Sequence, residues 1–364
     1  MRASIAIIPP ISVYAQVALP GSSGIACGPA ASRVGRRHHR VAGGIAVWPA
    51  SIAADRDKEY PRGPMNRRGA VERAMVRLLR SAGSAARSVT TTARGSAFHH
   101  LEEGTSGRVV VLLHGGSGGG ANWFRLLPRL AAEYRVLAPD LPGFGLSAPR
   151  ELRSPLGRHA AELLAGWLEE RGVDDALVVG TSFGGLAALR LAQIAPARIS
   201  RVLLLDSAGL GRGIHPLVRV ATLPGLTRLA VRPTRRGTAA VFRILLTTDR
   251  TELSAEQTAA LLDYLYASAH AAGTRYVART LRLFAGPTGQ REVLTDAELR
   301  TLHQPLSFIW GERDSFLPLA DARRAAGQCP DARFASIPDA GHSPNWERAD
   351  AVLDAIDELA RRPG

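Results

Sequence analysis

Three short stretches carry side chains whose types and order suit nucleophilic chemistry. Gly180-Thr181-Ser182-Phe183-Gly184 is a G-x-S-x-G pentapeptide between the apolar run Ala176 to Val179 and the helix-patterned run Leu186 to Ile194. A serine there is lifted out of a sheet on a sharp strand-to-helix turn. The glycines let the chain bend and let neighbouring backbone approach, because a Cβ at either position would clash in so tight a turn. A serine hydroxyl is a weak nucleophile, so a neutral imidazole must take its proton, and an acid must hold that imidazole in the right tautomer. His342, in Ala340-Gly341-His342-Ser343, and Asp314, in Ile309-Trp310-Gly311-Glu312-Arg313-Asp314, supply those two types further along the chain. Asp206, at the end of the run Val202 to Leu205, is the alternative acid.

The elements that must position these groups alternate in kind. Val109 to Leu113 is continuously apolar, as a strand buried on both faces of a largely parallel sheet should be. Tyr134 to Ala138, Ala176 to Val179, Val202 to Leu205, Leu306 to Trp310 and Arg333 to Ile337 read the same way. Helical patterns fall between them at Arg158 to Arg171, Leu186 to Ile194, Leu319 to Ala326 and Glu347 to Arg361. The alternation predicts an α/β fold, a mostly parallel sheet with helices on both faces. From about 211 to 300 the rhythm stops, with helix-like runs and no convincing strand, which reads as a helical lid inserted before the acid-bearing strand. The expected organisation is an extension over 1–94, a core over 95–210, a helical lid over 211–300 and core again over 301–364.

The formal charge of +14 on 364 residues suggests nucleic acid until it is divided along the chain. Residues 1–94 hold 15 Lys and Arg against 4 Asp and Glu, or +11, which leaves +3 for the other 270 residues. A nearly neutral folded part lacks the basic stripe of a nucleic-acid-binding domain, so no nucleic-acid partner is expected. Residues 1–94 are rich in Ala, Gly, Pro, Ser and Arg, a composition of disorder, with a helix expected near 71–86 from the spacing of Val71, Met75, Leu78, Leu79 and Ala82. A misassigned start, with Met65 or Met75 as the true first residue, a targeting segment, and a real basic tail are the three readings of this stretch. Pro9-Pro10 breaks the only early apolar run, and Gly24-Ile25-Ala26-Cys27 lacks the large aliphatic residue of a lipoprotein cleavage site. No apolar run reaches the ~18 residues of a membrane span. Cys27 and Cys329 show no disulfide or metal-ligand spacing, compatible with a reducing compartment and a cytoplasmic location.

From about residue 95 the chain resembles the α/β-hydrolase superfamily, in which nucleophile, acid and base follow in that order. It is similar to the single-lid group that includes esterases, proline iminopeptidases and meta-cleavage product hydrolases. His114-Gly115-Gly116-Ser117-Gly118-Gly119-Gly120, after a strand, matches the family's oxyanion turn. The resemblance implies oxyanion-hole amides at Gly116 and Phe183, a supporting role for His114, a small-molecule substrate, and neither cofactor nor metal. The same glycines fit G-x-G-x-x-G/A, with Asp140 about where a ribose-binding acid would stand, but a dinucleotide site leaves Ser182, Asp314 and His342 unexplained.

The expected reaction is hydrolysis of a small to medium apolar carboxylic ester through an acyl-enzyme. The alternatives are a C–C bond hydrolase, a non-catalytic ligand-binding receptor, and a cofactor-free peroxidase or acyltransferase on the same fold. Trp123, Leu210, Phe242 and Leu265 are the expected substrate-pocket residues. The lid arginine with which meta-cleavage product hydrolases grip a dienoate carboxylate falls near Leu265 here, with Arg243, Arg250 and Arg275 as possible substitutes. His38, His39, His99 and His100 lie in or beside the basic tail with no catalytic context. Sequence leaves the oligomeric state open.

Overall fold

Continuous apolar runs make the middle of the sheet. The computed structural model describes residues 64–362. Its strands are β1 (Arg87–Ala93), β2 (Ser96–Glu103), β3 (Val109–Leu113), β4 (Arg135–Pro139), β5 (Ala176–Thr181), β6 (Ile199–Leu205), β7 (Ala285–Gly286), β8 (Gly289–Gln290), β9 (Leu306–Gly311) and β10 (Ala332–Ile337). Eight of them form one sheet in the order β1-β2-β4-β3-β5-β6-β9-β10, while β7 and β8 make a separate small hairpin. Every residue of β5 and of β9 is buried, which is what a strand covered by helices on both faces requires. From β4 to β10 all pairings are parallel, and the helices 156–170, 183–194, 319–326 and 349–361 supply crossovers and cover. The fold is the α/β-hydrolase fold.

The amino-terminal boundary expected at residue 94 is wrong. Strand β1 pairs antiparallel with β2, and the join between them is Arg94-Gly95, both with positive φ (47° and 70°). Two such residues are the signature of a tight hairpin turn, so the expected boundary falls inside a turn of the folded domain. The run Arg87-Ser88-Val89-Thr90-Thr91-Thr92-Ala93 looks structureless by composition because it is an edge strand, and edge strands stay polar to discourage pairing with other chains. His99 and His100, read as bordering a tail, are buried in β2.

Ahead of β1, a helix spans Pro64–Arg80 instead of 71–86. It buries Val71, Ala74, Met75, Leu78 and Leu79 in a cluster shared with Leu261, Tyr264 and Leu265 of the helix Ala255–Phe284. Arg77 pairs with Asp263 at 2.7 Å along the same contact. The readings of residues 1–63 fall outside the described residues.

Between β6 and β9 lies the helical insertion. Its helices span Pro216–Ala221, Thr227–Ala230, Arg235–Val241, Ala255–Phe284 and Asp296–Arg300, with a π-helical turn at Phe242–Leu246. The long helix is interrupted at Gly273, whose φ of 80° no helical residue has, so it is two helices meeting at a kink. The hairpin β7–β8 corrects the expectation of no strand in this region: Gly289, at φ 120° with Arg212 backbone 2.0 Å from where a Cβ would stand, makes the turn close. Among the described residues no helix is long and apolar enough to cross a membrane.

Candidate active site

Ser182 stands between β5 and the helix Phe183–Ile194 with φ 52° and ψ −119°, a conformation that side chains other than glycine rarely take. Such a residue costs on the order of 1–3 kcal/mol and persists only where its surroundings over-determine it. Here Ser182 N–H donates to Leu205 O at 3.0 Å, and Ser182 O accepts from Ala208 N–H at 3.0 Å, tying the turn to the end of β6. The flanking glycines are needed for contact: a Cβ on Gly180 would lie 2.5 Å from Gly184 O, and one on Gly184 would lie 2.2 Å from Leu113 O.

The glycine loop after β3 leans over Ser182. A Cβ on Gly115 would meet Ser182 Cβ at 3.3 Å, whereas Gly116 faces open space. Buried His114 aims this loop. Its Nε2 accepts from Leu141 N–H at 2.8 Å, so the ring proton sits on Nδ1, which donates to Gly115 O at 2.7 Å. The carbonyl of Gly115 and the N–H of Gly116 belong to one planar peptide and point opposite ways, so fixing the first aims the second. Burial lowers the His114 pKa, against the opposing pull of Asp140 and the Gly115 carbonyl, which keeps the ring neutral for this task. Among the described residues no hydrogen bond uses the N–H of Gly116 or of Phe183, the first residue of its helix.

Asp140 is not positioned for a ribose. It is buried, and its Oδ1 accepts from Gly120 N–H at 2.6 Å while Oδ2 accepts from Leu146 N–H and meets His99 Nδ1, each at 2.7 Å. A Cβ on Gly119 would fall 2.3 Å from Asp140 Oδ1, leaving no room for a phosphate in the loop. Burial alone would raise the Asp140 pKa, but the His99 hydrogen bond and charge bring it below the ordinary value. The glycine pattern and its acid are therefore one structural clamp, and the dinucleotide reading fails on geometry.

At the ends of β6 and β9 the two candidate acids lie side by side. His342 Nδ1 pairs with Asp314 Oδ2 at 2.9 Å, and Asp314 Oδ1 accepts from the N–H groups of Phe316 (2.7 Å) and Leu317 (3.1 Å). The Phe316 ring packs 4.6 Å from the imidazole. Asp206 is fully buried; its Oδ1 accepts from Gly311 N–H at 3.0 Å, and its Oδ2 meets no donor. Burial first, and then the charge of Asp314, push the Asp206 pKa well above the ordinary carboxylate value, while the Gly311 N–H works the other way. Two adjacent carboxyls resist ionising together, and the cost falls on the more deeply buried Asp206. Asp206, Asp314 and His342 are also the one group among the described residues whose donor atoms, all within 4.8 Å, lie close enough to share a cation. The His342–Asp314 hydrogen bond already occupies that geometry.

Among the described residues no hydrogen bond joins Ser182 Oγ to His342, a looseness common before substrate tightens such a site. One contributor escaped sequence reading. Glu347, fully buried, accepts from Gly341 N–H at 2.7 Å with Oε2, and from Thr248 N–H (2.5 Å) and Oγ1 (2.7 Å) with Oε1. It ties the residue before His342 to the insertion. Burial raises its pKa, opposed by the hydrogen bonds from Thr248 and Gly341. Nothing in the spacing marks a glutamate at a helix start as buried.

The expected pocket residues are all buried. Trp123, Phe242 and Leu265 share one apolar cluster, where Phe242 stacks on Trp346 at 6.0 Å, and Leu210 belongs to the other. None of the proposed arginines reaches the site: Arg250 pairs with Asp339 at 3.1 Å, Arg243 donates to Ala239 O, and Arg275 is exposed. The open cleft beside the acid loop, about 430 Å³, is instead lined by Arg212, His215, Arg219, Thr288, Asp314 and Phe316 among others.

Comparison with known proteins agrees with this architecture. The family model for the alpha/beta hydrolase fold matches residues 108–349, and the chain belongs to that family. It is 30% identical over 261 residues to a 2-hydroxy-6-oxo-6-phenylhexa-2,4-dienoate hydrolase of Burkholderia cepacia, covering 69% of this chain and 87% of that one. A dihydrolipoyllysine-residue acetyltransferase component of an acetoin cleaving system from Pseudomonas putida is 32% identical over 251 residues, 68% of this chain and 62% of the relative. Among solved structures, a Bacillus subtilis carboxylesterase superposes with a TM-score of 0.68 at 20% identity, covering 81% of this chain and 98% of the other. The protein is a hydrolase of this family.

Proposed function

We propose that the protein is a serine hydrolase that cleaves a small to medium apolar carboxylic ester through an acyl-enzyme. The observation that carries this is the strained Ser182 turn, with the Gly115 backbone pressed against it and the Asp314–His342 pair 2.9 Å apart on the neighbouring strand ends. In the first step His342 takes the Ser182 proton as Oγ forms a bond to the ester carbonyl carbon, then gives it to the departing alkoxide oxygen. Water, deprotonated by the same histidine, attacks the acyl-enzyme and Ser182 leaves with the proton. Asp314 orients His342 and stabilises its imidazolium. The amides of Gly116 and Phe183 receive the oxyanion, each worth ~3 to 4 kcal/mol at the transition state. Trp123, Leu210, Phe242 and Leu265 form the apolar walls that open when the insertion, acting as a lid, moves to admit substrate. No cofactor or metal enters these steps, and a cytoplasmic location suits the chain.

C–C bond hydrolysis is the second reading, favoured by the relative at 30% identity and by a 2-hydroxy-6-oxononadienedioate/2-hydroxy-6-oxononatrienedioate hydrolase of Comamonas testosteroni at 28%. Against it stands buried, apolar Leu265 where the resemblance expects the carboxylate-gripping arginine. Labelling with a fluorophosphonate, followed by a screen of p-nitrophenyl esters and dienoates, tests both. A stoichiometric adduct on Ser182 with ester turnover is expected; dienoate cleavage without ester turnover would replace the first reading by the second, and no adduct would end both.

A further inference from the structure

The exposed apolar side chains of this protein are not scattered. Among the described residues eight large ones are exposed, and seven of these fall between Leu217 and Ile244, on the first part of the insertion. Leu229 is 70% exposed, Leu217 56% and Ile244 53%. Ordinary surface leucines occur singly, and a run of them marks a surface meant to meet something. The charges on the same stretch are as one-sided: residues 211–248 contain seven arginines and not one Asp or Glu. Arg235 pairs with Asp263, but Arg212, Arg219, Arg228, Arg232, Arg236 and Arg243 have no acidic partner among the described residues. Elsewhere the arginines of this chain are regularly ion-paired, as at Arg129–Asp350, Arg279–Glu151 and Arg333–Glu358.

We propose that the face made by residues 217–244 docks on an anionic lipid surface. Aliphatic side chains interleaved with arginines and free of acids are what lie in a bilayer interface, the apolar groups entering the acyl boundary while guanidinium groups reach the phosphates. The helices here have seven residues or fewer and lie along such a surface without crossing it. Charge decides against the other occupants. A second copy would set arginine against arginine, and residues 1–63 of this chain are themselves net basic. Single-stranded nucleic acid matches the charge but would leave the leucines unused, and the one aromatic of the stretch, Phe242, is buried where no base can stack on it. The face is anchored at both ends to the acid loop, through His215 N–H to Phe316 O and Ser315 Oγ–H to Ile244 O, each 3.0 Å. The 430 Å³ cleft is lined by Arg219 of this face and by Pro216 just before it. Docking therefore brings the lipid surface to the rim of the candidate active site, whichever bond that site cleaves.

The test is flotation of the full-length protein with vesicles of phosphatidylcholine alone and of phosphatidylcholine with phosphatidylglycerol in equal parts. Binding to the anionic vesicles only is expected, falling steeply at about 1 M salt, where the screening length is about 3 Å. Arg228→Glu/Arg232→Glu/Arg236→Glu and, separately, Leu217→Ser/Leu229→Ser should each weaken partition at least about tenfold with an unchanged melting temperature. Absence of binding, equal binding to both vesicles, or variants that bind like the wild type would overturn the proposal, the last by assigning binding to another basic segment. A dimer that dissociates on Leu217→Ser/Leu229→Ser, without vesicle binding, would give the face to a second copy and overturn it as well.

Discussion

The carboxyl edge of the sheet and the first half of the insertion meet at the acid loop, yet they are built on opposite principles. At the sheet edge the side chains are buried and three carboxylates are held by several donors each: Asp314 holds three N–H donors, Asp140 holds two backbone N–H groups and His99, and Glu347 holds Gly341 and Thr248. Ser182 is kept in a strained conformation by that frame. Along residues 217–244 leucines face water, and of the arginines only Arg235 has an acidic partner among the described residues. Preorganised dipoles stabilise a transition state because they need not move during the reaction, so the edge gains from rigidity. A surface that meets another phase has no such constraint, and unpaired groups there are the means of contact. On the proposed reading, chemistry belongs to the edge and recognition to the insertion.

The largest effect should come from breaking the edge at its reacting atoms. Ser182→Ala and His342→Ala are each expected to lower turnover by on the order of 10⁴- to 10⁶-fold, with the double variant barely worse, since the two act as a unit. The melting temperature of Ser182→Ala should stay or rise, because that change removes no buried partner. If the two losses multiplied in steady-state kinetics, the shared mechanism would be refuted.

Next in size, Asp314→Asn should cost ~10⁴-fold in kcat by turning His342 to the wrong tautomer. A comparable loss from Asp206→Asn, with Asp314→Asn mild, would move the acid role to β6. His114→Leu releases the Gly115 carbonyl and so the aim of the Gly116 amide; kcat should drop on the order of 10²-fold with KM held. An equal change in KM would place His114 in binding instead.

The insertion is probed through its support. Leu78→Ala, in the helix that backs Leu261 and Leu265, should destabilise by about 2–5 kcal/mol in denaturant melts while fluorophosphonate labelling at low temperature proceeds as in the wild type. Loss of labelling in the folded variant would show that edge and insertion are not separable.

The smallest effect concerns pH. The folded-state pKa of Asp206 is raised above the ordinary 3.8, so its contribution to stability is present below that value and is lost as pH rises through the folded pKa. Asp206→Asn keeps an acceptor for Gly311 N–H and carries no charge. It should therefore match the wild type in melting temperature near pH 4 and exceed it near pH 8. A gap that is constant with pH would mean that Asp206 stays in one protonation state throughout.

Much of this was legible in one dimension. β3 and the helix 319–326 begin and end where the apolar pattern does, and β5 and β9 begin there, because a strand buried on both faces must be apolar throughout. Ser182, Asp314 and His342 could be picked out as candidates since each sits in a short glycine-containing motif, although most of the contacts that require those glycines, such as Leu113 O against Gly184 and Gly341 O against Gly311, come from distant segments. The hairpin at Arg94-Gly95 was not: β1 is polar because it is an edge, and only its pairing with β2 makes it a strand.

What the chain alone determined is the set of local geometries, the tight turn at Ser182 and the continuous core strands, since these follow from which side chains and glycines adjoin. Tertiary structure alone decided matters of partnership. Asp140 became a clamp because Gly120 and His99 close on it, Asp206 became the carboxyl with the raised pKa because it is fully buried beside Asp314 while Asp314 took the histidine, and Glu347 became the tie between His342 and the insertion. The arginines of 211–248 are visible in sequence, but that six of the seven meet no acid among the described residues and that the leucines beside them are exposed are facts of space. Charge, burial and hydrogen bonding depend on what stands opposite a group, and what stands opposite is set by residues tens to hundreds of positions away.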